Sequence, residues 1–144
     1  MIKKRDSKGF TLIELAICIL VIGIISAIAA PRITSMFEDA DAEMFRALGG
    51  QVEISISQGL SRGIALADLN TGGAGFLDEI TSMVASEQSG NIDIPAPGAG
   101  TFTATAKSSK RTATYSISTD ANVVVDSITG FSQYSVVNGD IVKN

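Results

Sequence analysis

Between Phe10 and Pro31 the chain runs for 22 residues with 17 hydrophobic side chains and a single charge, Glu14. As a helix rising ~1.5 Å per residue, this stretch is roughly 33 Å long, enough to cross the hydrocarbon core of a bilayer. A segment so apolar has to be removed from water, either by lipid or by other protein. Every fold open to the chain must therefore accommodate an apolar helix that a small domain cannot cover by itself. Outside this run the composition is that of an ordinary soluble domain, and 144 residues allow one such domain.

Charge divides the chain at the same place. Lys3, Lys4, Arg5 and Lys8 against Asp6 leave residues 1–9 with a net charge of +3. From Phe10 onward, 7 basic and 14 acidic side chains give a net −7. A basic flank beside an apolar span keeps the N-terminus in the cytoplasm and sends the remainder across. The exported part is acidic, which argues against general nucleic-acid binding. There is no histidine, so imidazole acid–base chemistry, His-based triads and His metal sites are excluded. Cys18 is the only cysteine and lies inside the apolar run, so no intrachain disulfide can form.

Two residue-level readings of the N-terminus compete. Ala27-Ile28-Ala29 imitates a signal-peptidase site, so one reading is a soluble exported domain starting near Ala30. Against it, the run is longer than a signal core and carries a carboxylate near its start. A charge well inside a membrane helix costs on the order of 3 kcal/mol and calls for a partner or a function. A cut between Gly9 and Phe10 would provide that partner, because it creates a positive α-amino group four residues from Glu14.

The stretch Lys8-Gly9-Phe10-Thr11-Leu12-Ile13-Glu14-Leu15 resembles the processing site of type IV pilins and of type II secretion pseudopilins. The resemblance covers about residues 3 to 33: a short basic leader, Gly before the cut, Phe as the new first residue and Glu as the fifth. Gly23 and Pro31 fall where the family carries a helix-loosening Gly and Pro. The resemblance implies cleavage after Gly9 by a prepilin peptidase, N-methylation of Phe10, and pairing of Glu14 with the Phe10 amine of a neighbouring subunit. It implies an inner-membrane protein, with its head outside the cytoplasm, that passes through a membrane assembly platform. The product would be a homopolymer, with minor pilins, at the cell surface, or alternatively a short periplasmic pseudopilus. It implies no cofactor, metal or catalytic residue.

The rest of the chain reads as an α+β head. Ile33, Phe37, Ala40, Met44, Leu48 and Val52 recur every three to four residues, predicting one long helix from Phe10 to about Ser61. Pro31, and with it Gly23 and Gly49-Gly50, would interrupt or bend this helix. The expected division is a leader (1–9), a membrane or filament-core helix (10–31), an amphipathic continuation (32–62) and a head (63–144). Glu38, Asp39, Asp41 and Glu43 read as a solvated helix face, with neighbours' Arg32 or Arg46 as partners in an assembly. Thr71 to Gly75 reads as a flexible connection, and Phe76 to about Glu87 as a second helix with Asp78 and Glu79 in its first turn.

Ser89 to Gly100 reads as a loop. Four antiparallel strands are then expected over 101–107, 111–119, 122–128 and 131–137, forming a meander on the long helix. Asp120-Ala121, Thr129-Gly130 and Asn138-Gly139 are the turn signals. Lys107, Lys110 and Arg111 form the basic cluster outside the leader, read as a solvated hairpin tip with an anionic surface or DNA as the sharper alternative.

Overall fold

A computed structural model describes residues 10–65, 67, 75–88, 90–95, 97–98 and 100–144. Helix α1 runs from Leu12 to Ser61, followed by α2 (Phe76–Glu87) and six strands. These are β1 (Ile92–Asp93), β2 (Thr101–Ala106), β3 (Thr112–Ile117), β4 (Val123–Thr129), β5 (Tyr134–Val137) and β6 (Asp140–Lys143). The chain divides into two compact units, through Met36 and from Phe37 to Asn144. It is an α+β protein of pilin-like architecture: a long apolar N-terminal helix and a small antiparallel head.

In the first unit the expected break does not occur: α1 is continuous through Gly23 and Pro31. Proline removes one backbone donor, while the Ile- and Ala-rich turns on either side keep theirs, and a lone Gly costs only about 1 kcal/mol. Gly49 and Gly50 also lie inside the helix. A Cβ at Gly49 would come within 3.3 Å of the Tyr115 ring, so this glycine lets the ring lie close against α1.

In the second unit, α1 buries Glu38, Ala42, Phe45, Leu48, Val52, Ile56 and Gly59. This is not the expected stripe. Leu48 and Val52 belong to both, but Ala40 is exposed and Phe37 is 63% exposed. The true stripe keeps helical spacing through Glu38, a position that hydrophobic periodicity passes over because it is charged.

The sheet order is β1-β2-β3-β4, antiparallel throughout, with Phe102 opposite Tyr115 and Thr103 opposite Thr114. Period-two alternation sends Phe102, Ala104, Ala106, Ala113 and Tyr115 into the core and leaves threonines on the outer face. The three alanines leave room for Phe102 and Tyr115 to stack with centroids 4.6 Å apart. Tyr115 is fully buried, and its hydroxyl donates to the Phe45 carbonyl at 2.8 Å. Burial pushes its pKa up, so it stays a neutral donor.

The expected single meander is corrected in two places. The Ser89–Gly100 stretch contributes the short edge strand β1. The segment after Thr129 adds nothing to that sheet but folds back as a separate hairpin, β5–β6. Asn138 (φ 52°) and Gly139 (φ 82°) make its two-residue turn, and Ala121 (φ 65°) turns β3 into β4. Thr129-Gly130 makes no hairpin; β4 ends there and the chain leaves the sheet. Helix α2 occupies the expected residues, whereas the expected flexible connection, apart from Gly75, lies outside the described residues.

Candidate functional site

The first unit presents its apolar side chains outward, with Phe10 85% exposed and Leu12, Ile13, Ile17, Ile22 and Ile28 also exposed. Among the described residues, α1 alone is long and apolar enough to cross a membrane. Gly9 lies outside the described residues, and Phe10 is the last residue before the helical turn begins at Thr11. There the Glu14 carboxylate has a partner that hydrophobic patterning did not anticipate. The Thr11 N–H and Thr11 hydroxyl both donate to Glu14 Oε2, at 2.9 and 2.8 Å. The Glu14 N–H donates back to Thr11 Oγ1 at 3.3 Å. This reciprocal arrangement is a capping box, and its signature Thr-x-x-Glu stands in the sequence at Thr11 to Glu14. Glu14 therefore closes the orphan donors at the start of α1, besides being the one charge in the apolar run.

In the second unit Glu43 is solvated as expected and Asp39 is half-exposed, but Glu38 and Asp41 are taken out of water. Glu38 is 4% exposed. Its carboxylate accepts from the Ser132 hydroxyl at 2.8 Å and from the Ser132 and Gln133 N–H groups at 3.1 Å each. Arg111 stands 3.6 Å from it. Burial alone would raise the Glu38 pKa, but these three hydrogen bonds and the Arg111 charge outweigh it and hold the carboxyl below its ordinary value. Asp39 accepts from Lys143 Nζ and from the Tyr134 hydroxyl, both at 2.7 Å. Those two hydrogen bonds lower its pKa and raise those of Lys143 and Tyr134. Asp41 takes a 2.6 Å bond from Arg111, and Glu43 pairs with Arg46. The pairing of Glu43 with Arg46 is thus made within one chain.

The basic cluster is divided by the same network. Lys107 and Lys110 are exposed at the β2–β3 turn, where Lys110 has φ 61°. Arg111 is buried instead, bonded to Asp41 and, at 3.0 Å, to the Gly130 carbonyl, with its guanidinium over the Phe131 ring. Arg111 is therefore not available for an anionic surface. Sequence reading missed this because the chain neighbours of Arg111 form a turn, while its partner Asp41 lies 70 residues away.

The family model described as a prokaryotic N-terminal methylation motif matches residues 4–30. The chain is also similar to the type IV narrow pilus major component PilA5 of Thermus thermophilus, with 57% identity over 35 residues. That alignment takes in 24% of this chain and spans 30% of the length of the relative. No solved structure matches the chain. Both similarities lie in the N-terminal segment, which is therefore similar to the N-terminal methylation segment of type IV pilin-like proteins.

Proposed function

We propose that the protein is the structural subunit of a type IV pilus-like filament. A prepilin peptidase cuts between Gly9 and Phe10 and the new amine is methylated. The first unit holds the subunit in the cytoplasmic membrane, with the head outside the cytoplasm. Extraction by the assembly platform then transfers that apolar helix from lipid to the filament interior, where copies of the chain, together with minor pilins, cover it. Contacts of this kind are head-to-tail and do not close, so they propagate as a helix.

The observation that carries this reading is the methylation motif over residues 4–30, set on a helix whose apolar side chains are exposed. Glu14 acts as a registry device: a buried carboxylate and a buried amine compensate each other only at one axial offset.

Mass spectrometry of the mature protein tests the processing step. The expected N-terminus is Phe10 with one added methyl group, and Gly9→Val should leave the leader attached. A mature chain beginning at Ala30 or Pro31 would replace this reading with a simple exported domain. Electron microscopy of cells with and without the protein then separates a surface pilus from the alternative, a short periplasmic pseudopilus.

A further inference from the structure

Two acidic residues of α1 within the second unit, Glu38 and Asp39, are met by groups from the C-terminal end of the chain, and Asp41 is met by Arg111. We propose that residues 130–144 form a strap, held on α1 by Glu38, Asp39 and Asp41, which acid releases ahead of the β1–β4 sheet.

The strap packs on β4 but shares little hydrogen bonding with the sheet. β5 and β6 pair only with each other. Among the described residues, one backbone hydrogen bond links the hairpin to β4, from the Val125 N–H to the Gly139 carbonyl at 2.9 Å. The strap's polar attachment runs instead to α1. Glu38 takes the Ser132 and Gln133 donors, Asp39 takes Tyr134 and Lys143, and Arg46 donates to the Ile141 carbonyl. Asp41 acts through Arg111, which in turn holds the Gly130 carbonyl. Apolar anchorage comes from Tyr134 and Ile141, which are buried, and from Phe131, which packs edge-on against Phe45.

Acid acts selectively on this arrangement. The cations and phenol facing the carboxylates are Arg111 from the β2–β3 turn, Tyr134 from β5, Lys143 from β6 and Arg46 from α1 itself. Tyr134 and Lys143 keep their protons between pH 3 and pH 7, since their bonds to Asp39 raise both pKa values above the ordinary ones. Glu43 and Asp140 are the further carboxylates on this face, both beside Arg46. Protonating Glu38 removes its charge, weakens the hydrogen bonds it accepts from Ser132 and Gln133, and leaves Arg111 a buried guanidinium with less compensating charge, a costly state. The folded pKa values of Glu38 and Asp39 lie below the ordinary 4.5 and 3.8. Their contribution is therefore complete above about pH 4.5 and is lost as pH falls through the lower folded values. The β1–β4 sheet is held by its ladder and by Phe102, Ala104, Ala113 and Tyr115, which do not titrate in this range. Local opening of a segment whose attachment includes titratable carboxylates is the expected first event. Such release does not depend on filament assembly.

Hydrogen exchange on the full chain in detergent micelles, corrected for intrinsic rates, tests it at pH 7 and pH 3.5. Peptides covering 130–144 should lose protection at pH 3.5 while those covering 101–129 keep theirs. Glu38→Gln should reproduce most of that loss at pH 7 and flatten its pH dependence. Ile141→Ala should loosen the strap equally at both pH values and preserve their ratio. If Glu38→Gln does not fold, Asp39→Asn at its half-exposed position must lower strap protection at pH 7 without changing the sheet. Simultaneous loss of strap and sheet protection, or substituted chains that keep the wild-type pH ratio, overturns the proposal.

Discussion

Glu14 carries two duties on a single side chain. It caps α1 through Thr11, and on the proposed function it also meets the Phe10 amine of the next subunit. The two duties predict different consequences. Glu14→Val should leave processing intact and strongly depress filament yield, because an unpaired buried amine costs about 3–5 kcal/mol. Thr11→Ala removes only the cap, worth about 1 kcal/mol, and should reduce yield far less. Quantifying sheared filaments against processed subunit in the membrane distinguishes the two; equal yields from both substitutions would remove the registry role. Glu14 was legible in the sequence because a lone charge in an apolar run has to be accounted for. Glu38 was not, because its donors, Ser132 and Gln133, lie 94 and 95 residues away.

At the level of elements, legibility follows how local the determining interaction is. The end of α1, the extent of α2 and the Asn138-Gly139 turn were all readable, because each depends on residues within a few positions of one another. Gly139 illustrates this: its φ of 82° disfavours any side chain, and a Cβ there would meet Val124 Cγ1 at 2.5 Å. Gly139→Ala should accordingly destabilise the head by about 1–2 kcal/mol, seen as a lower denaturant midpoint with an unchanged slope. The face of α1 that enters the core was misread for the opposite reason. Two apolar stripes run along the helix, and which one the strands cover depends on partners supplied by β3, β5 and the 130–133 segment. The detachment of β5–β6 from the main sheet was equally hidden, since turn signals mark where a chain reverses but not which strand it meets.

On the scale of the whole molecule, the described core lies in residues 42–141, with no contribution from the apolar run. A fragment comprising residues 32–144 should therefore be soluble without detergent and keep Tyr115 buried, as checked by its near-ultraviolet circular dichroism. A fragment that aggregates or lacks that signal would mean that the head depends on the first unit. The sequence by itself determined that residues 10–31 are apolar and long enough to cross a membrane, and it singled out Gly9, Phe10 and Glu14 as the proposed processing and assembly residues. Those properties rest on length, hydropathy and spacing along a single segment. Only the tertiary structure decided that Glu38 and Asp39 accept hydrogen bonds from the C-terminal segment and that Arg111 is buried beside Glu38 and Asp41. The physical reason is that a charge is stabilised in a protein interior by whatever lies across from it, and that partner is chosen by the fold.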